Sequence, residues 1–218
     1  MAGGRFITFE GGEGAGKSTQ IARLAARLGA EGREVVVTRE PGGTQGAEAI
    51  RSLLVTGATD RWTPLAELLL HYAARADHLD RLIRPALARG AIVLCDRFAD
   101  SSRAYQGLAQ GLGLERVEAL DRVVTGRTQP DLTLILDIDP AEGLARAGRS
   151  GAGDETRYER MGTPFHDRLR AAFLEIAAGD PVRCRVIPAG GTAEEVEARI
   201  SAAVRPLLAG TGGRAHGP

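Results

Sequence analysis

Gly11-Gly12-Glu13-Gly14-Ala15-Gly16-Lys17-Ser18 is the stretch that decides the fold of this 218-residue chain. It matches the P-loop pattern G-x-x-x-x-G-K-[S/T], whose backbone amides and lysine surround the phosphates of a nucleotide. The strand-like run Phe6-Ile7-Thr8-Phe9 precedes the loop, and a helical pattern over residues 18–28 follows it. A lysine placed by chance in a glycine-rich turn would not explain this strand–loop–helix context. The sequence therefore predicts a site for a nucleoside triphosphate, formed by the loop and by Thr19.

The lysine of this loop is the only lysine in the sequence. Of the 28 Lys and Arg residues, 27 are arginine, and Lys17 is the exception. A planar guanidinium is a poor substitute for a compact ammonium that must pass between a backbone loop and phosphates. The composition therefore supports a phosphate-binding role for Lys17.

The composition also limits the possible classes of function. With 43% hydrophobic residues the chain can bury one sizeable core. Its formal net charge of zero argues against a broad basic face for nucleic acid or for a membrane surface. Cys95 and Cys184 lie far apart in apolar runs, which is typical of reduced thiols in a cytoplasmic protein. The histidines lack ligand spacing, and no apolar run reaches ~18 residues. We therefore predict no zinc site and no membrane span. We also predict no signal peptide, because Met1 to Gly4 lead straight into the first predicted strand.

Strand-like and helical segments alternate along the chain. The strand-like runs cover residues 5–10, 34–40, 91–97, 132–139 and 182–189. Their centres, such as Ile92-Val93-Leu94-Cys95, are continuously apolar, which is typical of parallel strands covered by helices on both faces. Helical patterns cover residues 18–30, 44–54, 64–89, 114–125, 141–147, 164–178 and 193–208. We therefore predict an α/β fold with an open, parallel, five-stranded sheet and helices on both faces.

Two segments interrupt this alternation. Residues 148–158 are rich in glycine and charge and have no apolar period. They form either a plain surface linker or a mobile lid that carries Arg149 and Arg157. Residues 210–218 have no apolar pattern and are predicted to be a disordered tail. The prediction is thus a single domain over residues 1–209, with the lid inside it.

Acidic residues at the ends of strands are candidate magnesium ligands. Asp96 and Arg97 end the third predicted strand, at the sheet edge where ligands collect in open parallel sheets. Asp96 could hold the water shell of Mg²⁺ with Ser18 as a second ligand. Arg97 could bind a phosphoryl group through two hydrogen bonds. The alternative is a simple ion pair between Asp96 and Arg97.

Other carboxylates lie close to the same edge. Asp137 and Asp139 are rival metal ligands, but Asp139-Pro140 is more typical of a strand exit and a helix N-cap. Glu13 lies inside the P-loop, where a carboxylate is costly unless it binds a sugar hydroxyl or helps to hold the metal. Glu10 could simply stabilise the loop.

Four further motifs follow the P-loop in order. They are Thr-Arg-Glu-Pro-Gly-Gly-Thr-Gln at 38–45, Tyr-Ala-Ala-Arg at 72–75, Asp-Arg-Phe-Ala-Asp-Ser-Ser-Arg-Ala-Tyr-Gln-Gly at 96–107 and Pro-Asp-Leu-Thr-Leu-Ile-Leu-Asp at 130–137. Together they closely resemble the motifs of bacterial thymidylate kinases, and the resemblance spans nearly all of residues 5–208. The block at 96–107 is its most specific part. The resemblance implies a fold of the P-loop kinase type with a mobile lid.

The resemblance also implies roles for individual residues. Lys17 and the loop amides would hold the phosphates of ATP. Arg97 would bridge the donor and acceptor phosphoryl groups, and Arg51 would help to bind the acceptor's phosphate. The implied acceptor pocket for dTMP consists of Glu13, Glu40, Pro41, Arg51, His71, Arg75, Arg97, Ser102, Tyr105 and Gln106.

Within this implied pocket, Arg75 would reach a thymine carbonyl. Tyr105 would block a ribose 2′-hydroxyl, and Glu13 would face the deoxyribose 3′-hydroxyl. The Glu40-Pro41 turn would shape the acceptor site, and a cis peptide there is one option. His71 stands where the family usually has the phenylalanine that stacks on thymine. A neutral imidazole can stack, but it offers less surface and could titrate near neutral pH.

The family resemblance further implies where the catalytic positive charge comes from. Eukaryotic-like members carry an arginine inside the P-loop, at the position of Gly14 in this chain. The sequence is therefore similar to the class whose lid supplies the charge, and we predict Arg157 for this role, with Arg149 as the second candidate. A lid that closes over substrates can bring such a side chain to the migrating phosphoryl group.

These observations predict a cytoplasmic dTMP kinase that uses ATP and Mg²⁺. The resemblance implies a homodimer, and neither nucleic acid nor a membrane is an expected partner. One alternative is a related P-loop kinase with another nucleotide or nucleoside acceptor. A second is an ATP-dependent switch protein. A GTPase would need an N-K-x-D element, which a chain with Lys17 as its one lysine does not contain.

Overall fold

Five parallel strands form a single sheet in the order β2-β3-β1-β4-β5. The computed structural model describes residues 4–150, except for the Ser150 side chain, and residues 157–209. The strands are β1 (Arg5–Glu10), β2 (Val35–Arg39), β3 (Ile92–Asp96), β4 (Leu132–Asp137) and β5 (Cys184–Pro188). All four pairings between neighbours are parallel. The predicted open α/β sheet is thus confirmed.

Helices connect these strands. They are α1 (Lys17–Ala30), α2 (Gln45–Val55), α3 (Pro64–His78), α4 (Arg84–Ala88), α5 (Ala99–Ser102), α6 (Leu114–Val124), α7 (Pro140–Ser150), α8 (Thr163–Gly179) and α9 (Ala193–Ala209). The start of α3 follows from its sequence, because the Thr63 side chain accepts a hydrogen bond from Ala66 N and Pro64 occupies the first turn. Among the described residues, no helix is long and apolar enough to cross a membrane.

Apolar side chains cover both faces of the sheet. On one face, α1 and α9 pack on the central strands through residues such as Leu24 and Ile200. On the other face, Phe6 and Val93 pack against residues 79–87. Burial on both faces explains why the central strands β1, β3 and β4 are continuously apolar instead of alternating, whereas the edge strands β2 and β5 are partly exposed.

Two predicted helix boundaries need correction. The helical pattern over 64–89 is three consecutive pieces, because a π-helical turn, Leu79–Ile83, separates α3 from α4. Residues 99–109 were not predicted to be helical, but they form α5 followed by a second π-helical stretch, Arg103–Ala109. Wide π turns are often found at functional sites, and this stretch carries Tyr105 and Gln106.

The carboxyl ends of the central strands meet the P-loop at one edge of the sheet. Phe9 of β1 is in register with Asp96 of β3, and Arg97 N donates a hydrogen bond to Phe9 O (2.9 Å). The fourth strand ends at Asp137, not at 139. Asp139 instead caps α7 by accepting a hydrogen bond from Ala141 N (3.0 Å), as the sequence favoured. Residues 151–156 of the predicted lid and the predicted tail lie outside the described residues.

Candidate functional site

A cleft of about 720 Å³ runs along this edge of the sheet. The P-loop lies at its centre, and its backbone packs closely against the backbone of β4 and of α7. A Cβ at Gly11 (φ +129°) would lie 2.4 Å from Leu136 O, and a Cβ at Gly14 (φ +66°) would lie 1.8 Å from Gly143 O of α7. Both positions therefore require glycine. An arginine at position 14 does not fit this arrangement.

Two cations from different elements converge on one backbone carbonyl. Lys17 Nζ donates hydrogen bonds to Gly11 O (3.2 Å) and Gly12 O (3.0 Å). Arg97 Nη1 donates to the same Gly11 O (3.0 Å). Burial lowers the pKa of Lys17, and the neighbouring Arg97 charge lowers it further. Like charges held this close in a partly dry cleft favour the binding of an anion between them.

Glu13 partly balances these two cations. Its Oε1 accepts hydrogen bonds from Arg97 Nη2 (2.9 Å) and from the Tyr105 hydroxyl (2.7 Å). Burial would raise the pKa of Glu13, but the charges of Arg97 and Lys17 outweigh burial and lower it to about 2. Glu13 is therefore ionised at neutral pH and joins the P-loop to Arg97 and Tyr105.

Ser18 and Asp96 lie together as the sequence predicted. Ser18 Oγ donates a hydrogen bond to Asp96 Oδ2 (3.0 Å). One hydroxyl and one carboxylate suit Mg²⁺, which keeps several waters and takes further ligands from phosphates. The rival ligand Asp137 is instead paired with Arg170 (2.7 Å). No cluster of three or more His, Cys, Asp or Glu side chains that could hold a metal occurs within residues 4–150 and 157–209.

Glu10 fixes the turn that carries Arg97, whose backbone has a positive φ of 68°. Its carboxylate accepts hydrogen bonds from Phe98 N (2.8 Å), Ser101 N (3.2 Å) and Ser101 Oγ (2.6 Å). Burial and the nearby Asp100 raise the pKa of Glu10 to about 7, although these hydrogen bonds oppose the shift. The sequence suggested that Glu10 stabilises the P-loop, but these hydrogen bonds join it to the turn after β3 instead.

A second group of predicted residues lies at the other end of the P-loop. Glu40 and Pro41 line the cleft, and the peptide bond between them is cis. Arg51 of α2 also lines the cleft, and its Nη1 donates a hydrogen bond to Pro41 O (2.7 Å). The turn after β2 and the helix α2 are thus joined at this end of the cleft.

Arg75 is buried in the same region, and one of its hydrogen-bond donors has no partner there. Its Nε donates to Glu40 Oε2 (2.7 Å) and its Nη2 to Ser102 Oγ (3.2 Å). The guanidinium also lies over the rings of Tyr72 (4.5 Å) and Phe98 (5.1 Å). Arg75 Nη1 is buried and has no hydrogen-bond partner within the described structure. A buried donor without a partner is costly, and an acceptor atom in the cleft would satisfy it.

His71 lines the cleft beside two tyrosines. Its Nε2 is 3.0 Å from the Tyr158 hydroxyl, and Tyr158 makes an edge contact with Tyr105 (ring centroids 5.3 Å apart). Burial lowers the pKa of His71 to about 4, although Glu67 partly opposes the shift. The suggestion that His71 could titrate near neutral pH is therefore wrong for this conformation, and its ring is neutral.

Gln106 is held by a residue that sequence reasoning missed. Its Nε2 donates a hydrogen bond to Glu67 Oε1 (2.7 Å), and Glu67 is almost completely buried. The sequence showed Glu67 only as an acidic residue in the first turn of a helix. Nothing local indicated that it would face Gln106, which lies 39 positions along the chain.

Neither predicted lid arginine lines the cleft in this conformation. Arg149 is exposed on α7. Arg157 is 1% exposed, and its guanidinium contacts Glu67 and backbone carbonyls of residues 54–59. The predicted position of Arg157 over a migrating phosphoryl group therefore does not match the structure, because these contacts already use its charge and its donors.

The cleft continues past the P-loop into a region that the sequence did not indicate. Here it lies between α7 and the loop that joins β5 to α9. Its lining residues in this part are Arg146, Ala147, Ala189, Gly191, Thr192, Ala193 and Val196. Arg146 Nη1 donates to Ala189 O (3.2 Å) across this gap. In the sequence Arg146 is merely one more arginine on an amphipathic helix.

Comparisons with known proteins point to one family. The family model described as thymidylate kinase matches residues 9–200. The chain is 59% identical over 201 residues to a thymidylate kinase of Caulobacter vibrioides, covering 92% of this chain and 96% of that protein. It is 53% identical over 211 residues to one of Cereibacter sphaeroides, covering 95% and 97%. A crystal structure of thymidylate kinase from Ehrlichia chaffeensis superposes with a TM-score of 0.75 at 36% identity, covering 93% of this chain and 99% of that one.

Proposed function

This chain belongs to the thymidylate kinase family and transfers the γ-phosphoryl group of ATP to dTMP, and we propose that Lys17 and Arg97 hold the two phosphoryl groups in line. The observation that carries this proposal is the convergence of both cations on Gly11 O, at 3.2 and 3.0 Å. Lys17 belongs to the loop that surrounds the donor phosphates. Arg97 lies between that loop and the pocket that contains Arg75, so it can contact both groups.

The transfer needs little covalent help from the protein. The attacking atom is a phosphate oxygen that is already anionic, so no strong general base is required. Catalysis then consists of alignment, neutralisation of the charge on the migrating group, and exclusion of water. Lys17, Arg97 and the loop amides supply the alignment and most of the neutralisation. Ser18 and Asp96 would hold Mg²⁺, which supplies further positive charge to the phosphates when bound.

The acceptor pocket is proposed to bind thymidine monophosphate. The unpartnered Nη1 of Arg75 can donate to a thymine carbonyl, and His71 and Tyr158 offer rings beside it. Arg51 lies where it can bind the acceptor's phosphate. Tyr105, whose hydroxyl Glu13 holds at 2.7 Å, leaves little room for a ribose 2′-hydroxyl. Ser102 and Gln106 complete the pocket through their contacts with Arg75 and Glu67.

The remaining charge comes from the lid. Gly14 offers no side chain, and Gly143 leaves no space for one. Because Arg157 is committed to other contacts, we favour Arg149 as the arginine that reaches the phosphates when the substrates are bound. The ATP base would lie in the part of the cleft near Arg146 and Thr192, since that part continues beyond the P-loop.

The chain is proposed to act as a cytoplasmic homodimer. Cys95 and Cys184 are free and buried, which suits a reducing compartment. Leu65 and Leu69 are exposed one turn apart on α3 (46% and 49%), and Leu53 is exposed on the adjacent α2 (37%). Such a group of apolar side chains is typical of a surface that another subunit covers.

A turnover assay with ATP, Mg²⁺ and a panel of monophosphates tests the function. We expect dTMP to be the preferred acceptor, dUMP to react less well because it lacks the methyl group, and ribothymidine monophosphate to be excluded by Tyr105. Preference for another nucleotide or a nucleoside would favour the related-kinase alternative. Hydrolysis of ATP without phosphoryl transfer to any acceptor would favour a switch protein.

A further inference from the structure

A buried carboxylate joins three elements beneath the acceptor pocket. Glu67 of α3 is 1% exposed. Its Oε1 accepts hydrogen bonds from Gln106 Nε2 (2.7 Å) and Gln110 Nε2 (2.8 Å), both at the end of the second π-helical stretch and its cap. Its Oε2 pairs with Arg157 Nη1 (2.5 Å). Burial would raise the pKa of Glu67, but these partners lower it, so the carboxylate stays ionised.

The arginine of this pair holds the end of α2. Arg157 Nε donates to Ala58 O (3.0 Å), Nη1 to Leu54 O (3.2 Å) and Nη2 to Thr59 O (2.9 Å). These carbonyls belong to the last turn of α2 and the loop after it, where no helical partner is available to them. Because α2 also carries Arg51, Arg157 holds the end of the helix whose Arg51 is proposed to bind the acceptor's phosphate.

Arg157 also contacts the base end of the pocket. Its guanidinium carbon lies 5.2 Å from the centre of the Tyr158 ring, and Tyr158 in turn approaches His71. The two residues of this ion pair thus contact three parts of the pocket wall. Glu67 contacts the Gln106 amide, and Arg157 contacts the end of α2 and the Tyr158 ring. None of these contacts points to the P-loop or to the ATP phosphates.

We propose that Glu67 and Arg157 are positioning residues that assemble the dTMP site, and that their ion pair does not act on the migrating phosphoryl group. This inference rests on the proposed function of the cleft. It assigns to Arg157 a different task from the catalytic one that the sequence suggested. Removing one partner leaves the other buried and uncompensated, which would disturb Gln106 and α2 together.

The test compares Glu67→Gln, Arg157→Met and the double variant in steady-state assays and in calorimetric titration of dTMP without ATP. We expect each single variant to raise the KM and the Kd for dTMP by about tenfold, as for a lost charged hydrogen bond. The KM for ATP and kcat should stay within about twofold of wild type. The double variant should be less impaired than the sum of the two, because no lone charge remains.

Arg160→Met is the matched control, since Arg160 is exposed and lies three positions further along; it should leave both KM values unchanged. Arg157→Lys keeps a positive charge for Glu67 but loses the forked contacts to α2. Its KM for dTMP should therefore lie between those of the wild type and Arg157→Met, and it replaces Arg157→Met in the test if that variant does not fold. A fall in kcat with both KM values unchanged in Arg157→Met would show that Arg157 acts in the transition state and would overturn the proposal. An equal rise in the KM values for ATP and for dTMP would show that the ion pair has only a general structural role, and this would also contradict the proposal. Failure of the wild type to use dTMP would refute the proposed function instead.

Discussion

Lys17 and Arg97 are both cations, but the structure gives them tasks that cannot be exchanged. The Lys17 ammonium folds back on two loop carbonyls, Gly11 O and Gly12 O. The Arg97 fork instead spans Gly11 O, Ser101 and Glu13 at once. A compact point charge is suited to the first geometry and a planar set of donors to the second.

The first prediction concerns Lys17. Lys17→Ala should lower kcat/KM by at least about 10²-fold, as expected for a lost contact to developing charge. Lys17→Arg should be similarly impaired, because the guanidinium is too large to lie between the loop and the phosphates. Steady-state kinetics with ATP and dTMP measure both. Recovery of most of the activity in Lys17→Arg would contradict this account of why the one lysine occurs here.

The second prediction concerns His71 and pH. Burial lowers the pKa of His71 from 6.5 to about 4, so the unfolded chain binds a proton near pH 6 that the folded chain does not. The stability that neutral His71 contributes is therefore complete above pH 6.5 and is lost as pH falls towards 4. His71→Phe removes this penalty and should gain about 1 kcal/mol relative to wild type on going from pH 7.5 to pH 5, after allowance for its partial exposure.

Urea unfolding of both proteins at the two pH values measures this difference. Glu10 has a raised pKa of about 7, so it stabilises the folded state as pH falls, which is opposite to the effect of His71. Because both proteins retain Glu10, the difference between them reports on His71 alone. His71→Phe should also tighten dTMP binding if the ring stacks on thymine, since phenylalanine buries more apolar area. An unchanged difference in stability between the two pH values would mean that His71 is not desolvated as the structure indicates.

For individual residues, the sequence predicted those whose role depends on neighbours in the chain. It did not predict those whose role depends on contacts far along the chain. The P-loop was predicted because its eight positions are contiguous and form a recognisable pattern, in which Gly11 and Gly14 leave no room for a side chain. Glu67 and Arg157 were not assigned their partners, because these are 39 to 103 positions away in sequence. An ion pair buried across three elements leaves no periodic or spacing signal in the chain.

At the scale of elements, apolar runs predicted all five strands to within a few residues. Burial on both faces makes such runs unambiguous in the central strands β1, β3 and β4. The helix from residue 99 was missed because Asp100, Ser102 and Gln106 are buried polar side chains that interrupt any apolar period. Their burial is compensated by partners such as Arg183 and Arg75, and this compensation is visible only in the fold.

The third prediction concerns the contact between the P-loop and α7. A Cβ at Gly143 would lie 2.5 Å from Glu13 O, so Gly143→Ala should push the loop away from the helix. We expect kcat/KM for ATP to fall about tenfold, the usual scale for forced overpacking. Gly29→Ala is the matched control, because that helical position has nothing within 4 Å. It should keep full activity and gain about 0.5–1 kcal/mol of stability.

A fall in ATP affinity in Gly29→Ala as large as in Gly143→Ala would attribute the effect to helix propensity and not to the P-loop contact. Thermal unfolding of both variants separates the two causes. If Gly143→Ala keeps wild-type kinetics, α7 can move away from the loop without cost, and the close packing has no functional role.

At the scale of the whole molecule, a net charge of zero does not describe the charges that line the cleft. The 28 basic and 28 acidic residues cancel in sum, yet the lining of one cleft brings six basic side chains, among them Lys17 and Arg97, together with the four carboxylates Glu13, Glu40, Asp96 and Glu159. The net charge carried no information about this local field. That field follows from the sheet topology, which brings the ends of β1 and β3 and the helices α2 and α3 to one edge.

The last prediction concerns assembly. Leu65 and Leu69 repeat at i and i+4 on the exposed side of α3, whereas Leu68 and Tyr72 face the interior. A monomer would keep this stripe and the adjacent Leu53 in water, at a cost of about 25 cal/mol per Å² of apolar surface left uncovered. Leu65→Glu combined with Leu69→Glu should therefore convert a dimer into a monomer, as measured by light scattering after size exclusion at micromolar concentrations.

Val182→Glu is the control for this experiment, because Val182 is 75% exposed just before β5 and a charge there should leave the assembly unchanged. Since α3 also carries His71 and Arg75, the monomeric variant should have a higher KM for dTMP than the wild-type protein has. Its KM for ATP should stay unchanged, because the P-loop does not contact this surface. A wild-type protein that is monomeric at the same concentration would refute the homodimer. A double variant that stays dimeric would place the interface on another surface, and the exposed leucines of α3 would then need a different partner.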